Sequence, residues 1–249
     1  MQSIKLQEMT WPSVKAAIGS GFDTVVFAVG STEQHGPHLP LSTDTLIGEW
    51  LAEAIAARLG NALVAPTVQV GCSDHHIAFA GTISLESQTL HDLLANYAMS
   101  LLKHGFRRVV IIPSHGGNFD VVTRVTIELQ QQLPGKIVTF ADLRQLVIAS
   151  HQASAEFGIS ADASGAHAGE FETSIMLFLH PGLVDMKRAE QGFTGYITPL
   201  IPDLLQNGLA KVTVNGILGD GRPSDAKRGA RYLEVWLNLA MAAIESAAA

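Results

Sequence analysis

Several things are scarce in this sequence, and each scarcity excludes something. There is one cysteine, Cys72, so no internal disulfide can form and nothing calls for an oxidising compartment. Charged residues make up 16% of the 249, below the ~25% of ordinary soluble domains. The net charge is −7 and no cluster of five Lys or Arg occurs, which argues against a general nucleic-acid binder. Long apolar runs are also missing. The strongest, Thr24 to Gly30 and Val109 to Pro113, are far shorter than the ~20 residues that span a bilayer. The opening MQSIKLQEMTWPS lacks the basic-then-apolar layout of a signal peptide. No repeat, Pro/Ser-rich linker or long polar tract divides the chain, and 47% hydrophobic residues argue against disorder. The expectation is one globular domain over residues 1–249, cytoplasmic, with neither nucleic acid nor membrane as partner.

What is present alternates short β-branched runs with helical periodicity. Thr10-Trp11-Pro12 reads as a helix start with Thr10 as cap. Thr24 to Gly30, Ala62 to Ala65, Arg107 to Ile112 and Lys136 to Phe140 read as strands. Helices are expected over Thr45 to Leu59, Ser87 to His104, about Asn118 to Leu133, and Gly169 to His180. The first of these would bury Leu46, Trp50, Leu51, Ile55 and Leu59. Ser224 is expected to cap a last helix running to the C-terminus. This β-α-β-α order predicts an α/β fold, a mostly parallel sheet with helices on both faces. Ligands in such folds gather where strands end and helices begin.

The strand ends are unusual. Six of the ten histidines (His35, His38, His75, His76, His115, His167) fall in four segments: Gly30 to Thr45, Gly71 to Thr82, Ser114 to Asn118 and Ser164 to Ser174. The first is longer than the 2–6 residues of an ordinary βα loop and also carries Glu33 and Asp44. Glu33 and His35 are one residue apart, so an extended loop could aim them at two neighbouring ions. Asp44 has two oxygens and can bridge both. His115 lies beside Gly116 and Gly117, which allow close backbone approach. Mixed carboxylate and imidazole ligands suit zinc, manganese or iron(II), with no thiolate cluster to force zinc. Three carboxylates and one hydroxide would balance two divalent cations. Two ions roughly 3.5–4 Å apart would acidify a bridging water and polarise a bound carbonyl.

Simpler readings cover other residues. His104 and His180 end helices, where imidazolium favours the dipole, and His91 and His151 read as exposed helix residues. Taken singly, His38, His75 and His76 serve equally well as surface or hydrogen-bonding residues, although their position keeps them candidates for substrate contacts. Glu170 and Glu172 stand near a helix start, which favours carboxylates without any further role. A lone cysteine is usually a small buried hydrophobe, so Cys72 needs no function. No G-x-S-x-G elbow, G-x-G-x-x-G turn or Walker-type loop occurs, which disfavours serine hydrolases and nucleotide cofactors.

With these segments in view, the sequence resembles the creatininase (creatinine amidohydrolase) family. Gly30 to Asp44 is close to its G-S-x-E-Q-H-G-P-H-L-P-L-x-T-D pattern, Pro113 to Asn118 to its glycine-rich histidine loop, His167 to Ser174 to H-A-G-x-x-E-T-S, and Phe79 to Thr82 to a loop ending F-P-G-T. The resemblance implies a three-layer α/β/α fold with a mostly parallel sheet and a binuclear metal centre. It implies Glu33, Asp44 and His115 on one ion, His35 with bridging Asp44 on the other, and His167 as the proton-transferring residue. In creatinine-hydrolysing members a glutamate follows the loop histidine by two positions. Here that position is Gly117, and Glu172, which occupies the glutamate of the family pattern, is the expected replacement, with Glu170 the competing candidate. Aromatic residues that enclose creatinine in that branch are also missing, with Gly116 after His115, and Ala163 and Ser164 before His167.

Ser73, His76 and Asn118, in the same strand-end loops, are expected as substrate contacts. The implied activity is hydrolysis of a cyclic or linear amide, creatinine-type, by hydroxide held between two divalent ions (zinc, manganese or iron). The alternative is a formamide hydrolase or peptidase of a cofactor-biosynthesis pathway. A metabolite-binding homologue without activity is disfavoured, since it has no use for an intact Glu33/His35/Asp44/His115 set. The partners implied are a small-molecule amide and further copies of the chain, in the hexamer common in the family.

Overall fold

β-branched residues fill most of the four short apolar runs, and each run becomes a strand in the computed structural model, which describes residues 3–195 and 200–247. In chain order the elements begin α1 (Trp11–Gly19), β1 (Thr24–Val29), α2 (Thr43–Leu59), β2 (Ala62–Val64), α3 (Ser87–Lys103) and β3 (Arg108–Pro113). They continue with α4 (Phe119–Gln132), β4 (Ile137–Thr139), α5 (Leu143–Ala155), α6 (Ala161–Ser164), α7 (Glu170–Leu179), α8 (Ile201–Asn207) and α9 (Ala226–Ser246). The strands form one parallel sheet in the order β2-β1-β3-β4, with Val29 of β1 in register with Pro113 of β3. The fold is therefore α/β as expected.

Alternation along β1 sorts its side chains between two cores. Val26 and Ala28 face α2, α7 and α9, whereas Val25, Phe27 and Val29 face α3 and α4, with α1 packed at the margin. All of β1 is buried on both faces, as a parallel sheet covered by helices requires. The chain passes from β1 to β2 on one side and then crosses to β3 on the other. That reversal opens a crevice beyond the carboxyl ends of β1 and β3, the place where doubly wound sheets bind ligands.

Some local expectations change. α2 begins at Thr43 and buries Ile47, Leu51 and Ile55 with Ala52 and Ala56, so Leu46, Trp50 and Leu59 are only half-buried. Small residues bring this helix close to the sheet and rotate the buried stripe. Asp225, not Ser224, caps α9 by accepting from the Lys227 amide, and the expected run to Ala249 ends outside the described residues. The Thr10 hydroxyl meets Ser13 at 2.9 Å rather than a backbone amide. His91 is buried, because α3 packs on α4 and brings Glu128 within 3.1 Å of its Nε2. Helices α5, α6 and α8 had no counterpart in the sequence reading. Among the described residues, no helix is long and apolar enough to cross a membrane.

Candidate metal centre

The loop after β1 carries Glu33 and His35, and the first turn of α2 carries Asp44. All three are at most 2% exposed. His115 enters from the loop after β3, His76 from the Gly71–Thr82 segment, and His167 with Glu172 from the entrance to α7. Asp44 stands between two histidines: Oδ1 is 3.2 Å from His35 Nε2 and Oδ2 is 3.2 Å from His115 Nδ1. Beyond His115 lies Glu33, whose Oε1 is 3.3 Å from His115 Nδ1, 3.3 Å from His76 Nε2 and 3.7 Å from His167 Nδ1. Beyond His35 lies Glu172, with Oε2 3.9 Å from His35 Nε2. Asp44 thus links a group holding His115 and Glu33 to one holding His35 and Glu172.

The outer atoms of these side chains are held by the backbone. His115 Nε2 donates to the Cys72 carbonyl at 3.0 Å, leaving Nδ1 to face inward. His35 Nδ1 is 3.1 Å from the Glu33 carbonyl, which leaves Nε2 inward, and His167 Nε2 reaches the Gln34 carbonyl at 2.8 Å, which leaves Nδ1 inward. Such outer partners fix the tautomer of metal-binding imidazoles. Ser31 donates to Glu33 Oε2 at 3.1 Å, whereas Glu33 Oε1 and Asp44 Oδ2 are buried without a hydrogen-bond partner. An unpaired buried carboxylate oxygen is costly unless something positive meets it. His35 Nε2 bonds Asp44 Oδ1 at 3.2 Å, and the two unpartnered carboxylate oxygens that converge with the inward imidazole nitrogens fit a cation. Ligand atoms come within 4.8 Å of one another in three sets: Glu33/His35/Asp44, His35/His167/Glu172 and Glu33/His76/His167.

The electrostatics agree. Burial opposes charge on His35, but the Asp44 carboxylate outweighs it and raises the pKa to about 10. Burial likewise opposes charge on His115, and Glu33 with Asp44 pushes its pKa well above the usual range. Asp44 and Glu33 are held low against their own burial, chiefly by His35 and by His115 respectively. Burial drives His76 down and, aided by the charge on His35, lowers His167 to about 3. Glu172 is raised to about 7 by burial, with His35 opposing. The Asp44 and Glu33 carboxylates thus stabilise positive charge beside them, on His35 and His115.

Glu172 is placed by a strained turn. Ala168 has φ of 52° (among the described residues, the non-glycine position with positive φ), a conformation costing about 1–2 kcal/mol. Paired backbone bonds between His167 and Leu218 hold the turn, and the Ala168 amide donates to Glu172 Oε2 at 2.6 Å. Glu170 points elsewhere and joins Arg228, Tyr232 and Ser174.

Position 117 cannot carry the missing carboxylate. A Cβ on Gly117 would sit 2.2 Å from the Cys72 carbonyl oxygen and 2.6 Å from His115 Nε2. Two of the expected substrate contacts lie behind the cluster. The Ser73 hydroxyl is fully buried, 2.6 Å from Ser31 Oγ and 3.4 Å from His115 Nε2. Asn118 is also fully buried; it accepts from the Cys72 amide and donates to the carbonyls of Val29 and Gly30. Its amide is used in tying three loops together. His76 is brought into the cluster. His38 pairs with Thr173 at 2.8 Å, and His75 stacks beside His115 with ring centroids 5.8 Å apart. Gln34, between Glu33 and His35, is a further residue of the site that the sequence reading does not name. It is buried and touches both His76 and His167. Its position inside the first motif was the available signal.

Known proteins resemble the chain over most of its length. The creatininase family, described as creatinine amidohydrolase, matches residues 7–244. A mycofactocin precursor peptide peptidase of Mycobacterium tuberculosis is 34% identical over 217 residues, covering 84% of this chain and 79% of that protein. Creatinine amidohydrolase of Pseudomonas putida is 28% identical over 247 residues, covering 94% and 93%. A solved structure described as manganese creatininase superposes with a TM-score of 0.77 at 26% identity, covering 95% of each chain.

Proposed function

The chain belongs to the creatininase family of metal-dependent amidohydrolases, and from that premise we propose that it cleaves a linear amide of a peptide, using two divalent ions. The observation that carries the two-ion reading is Asp44, with one oxygen 3.2 Å from His35 and the other 3.2 Å from His115. In this reading Glu33, Asp44 and His115 hold one ion, and His35, Asp44 and Glu172 hold the other. Zinc, manganese or iron(II) suits such a donor set. Divalent ions there supply Lewis acidity and lower the pKa of water.

The residues do the rest. His167 keeps Nε2–H on the Gln34 carbonyl, so Nδ1 is the atom that holds a proton and passes it to the leaving nitrogen. His76 faces the same space and contacts substrate. The choice of a peptide over creatinine is supported by the higher identity to the peptidase and by Gly117, which stands where the creatinine branch has its glutamate. Gly116, Ala163 and Ser164, which stand where the creatinine branch has its enclosing aromatics, also suit an extended substrate. A single 1–249 domain, self-association as a hexamer and a cytoplasmic location belong to the same proposal; sedimentation would count the subunits.

The test is a substrate panel on purified protein reloaded with zinc or manganese. Short peptides, N-formyl amides and creatinine are compared by mass spectrometry. Peptide products with metal dependence are expected. Creatinine turnover exceeding that of every peptide would overturn the substrate, and full activity without a stoichiometric transition metal would overturn the mechanism.

A further inference from the structure

Distance alone leaves His76 ambiguous, because its Nε2 lies among potential ligand atoms 3.3 Å from Glu33 Oε1. The neighbouring amide removes the ambiguity. Gln34 Oε1 accepts from the Gly36 backbone amide at 2.9 Å, and Gln34 Nε2 donates to the Gly216 carbonyl at 3.0 Å. Both partners are backbone groups of fixed polarity, so oxygen and nitrogen of the side chain cannot be exchanged. The second hydrogen of Nε2 has two neighbours, His76 Nδ1 at 2.8 Å and His167 Nε2 at 3.0 Å. His167 Nε2 is already 2.8 Å from the Gln34 carbonyl, an acceptor that requires an N–H there. The free hydrogen of Gln34 therefore goes to His76 Nδ1, which must be a lone pair. A neutral His76 then carries its proton on Nε2, the end that faces Glu33 Oε1 and the candidate centre.

The seat for this amide is built into the chain. Gly216 has φ of +80°, and a Cβ on it would fall 1.9 Å from Gln34 Oε1, so only glycine lets the carboxamide lie there. The outcome is a matched pair. His76 and His167 have ring centroids 4.5 Å apart, and the first presents an N–H while the second presents a lone pair. An amide needs both, a donor at its carbonyl oxygen and a proton relay at its nitrogen.

We propose that Gln34 is a positioning residue that holds His76 as an N–H donor to the substrate carbonyl oxygen and keeps it out of the metal-ligand set. The use of that donor rests on the amide-hydrolase reading above; its tautomer does not.

The experiment is magic-angle-spinning ¹⁵N spectroscopy of histidine-labelled protein, metal-free and zinc-loaded, with His76 assigned by its loss in His76→Gln. In both states His76 should show a protonated Nε2 and an unprotonated Nδ1, with no zinc-induced shift at Nε2. His76→Gln should keep the full zinc complement and lose about 10²–10³-fold in kcat on the best amide of the panel. Gln34→Glu replaces the donor with an acceptor of the same shape. It should move the His76 proton to Nδ1 and lower kcat similarly at unchanged zinc content. A protonated Nδ1 in the wild-type protein, a zinc shift at His76 Nε2, or loss of zinc in His76→Gln would overturn the proposal. The predicted tautomer in a protein that hydrolyses no amide would instead overturn the functional reading, because the spectra need no substrate.

Discussion

Glu170 and Glu172 begin the same helix two residues apart, and their surroundings differ. Glu170 is fully buried; Oε1 accepts from Ser174 at 2.7 Å and from Arg228 Nε at 2.7 Å, and Oε2 accepts from Tyr232 at 2.9 Å. That cluster is closed, and it joins α7 to α9. Glu172 opens on the other cluster, where Glu33 Oε1 and Asp44 Oδ2 have no hydrogen-bond partner. Both groups of residues hold buried carboxylates, and burial alone would not tell them apart. Saturated hydrogen bonding marks the one that holds helices together, and convergent unsatisfied oxygens mark the one suited to a cation.

Substitutions can break or sharpen that contrast. Asp44→Ala removes the oxygen pair shared by both halves of the open cluster; both metals should be lost and turnover should fall by more than about 10³-fold. Elemental analysis beside the peptide assay checks this, and two ions retained would end Asp44's bridging role. His167→Ala should lower kcat by about 10²–10⁴-fold with metal content kept, and parallel metal loss would make it a ligand. Glu172→Gln should halve the metal content and cost roughly 10²-fold in metal affinity or activity, with thermal stability nearly unchanged.

Glu170→Gln should do the reverse. Arg228 would be left mostly buried against a neutral amide, a loss of about 2–4 kcal/mol, or roughly 5–15 °C in Tm, with both metals retained. Calorimetry and metal analysis on this pair of variants decide whether the two clusters are separate. The smallest effect is expected from Gly117→Glu added to Glu172→Gln. The Cβ collision with the Cys72 carbonyl should cost a further ~1–3 kcal/mol and restore neither metal nor activity.

The strands and the longer helices were legible because β-branched runs and apolar periodicity follow directly from burial on a two-faced sheet. Helix α5 was not. It turns Leu143 and Ile148 outward and buries little beyond Leu146 and Ala153, so it leaves no continuous apolar stripe. In the candidate site, Glu33, His35, Asp44 and His115 stood out by residue type at strand ends. Gln34 did not, because its significance lies in hydrogen bonds to His76, 42 positions away, and to Gly216, 182 positions away. Asn118 was recognised as a strand-end residue, but its use depends on which carbonyls reach it, which spacing does not reveal. His91 was misjudged for the same reason, since its partner Glu128 comes from another helix.

The clamp made by Asn118 has a kinetic consequence. It joins the end of β1, the Cys72 loop and the start of α4 through bonds of 2.9–3.1 Å that involve no ligand side chain of the candidate centre. Loops tied together in this way do not have to be ordered by the ion they receive. Capture should then run at the speed of desolvation and diffusion, with little dependence on denaturant below the unfolding transition. The Cys72 amide, held by Asn118 beside the candidate centre, should be among the slowest in the loops to exchange with deuterium, before and after loading alike.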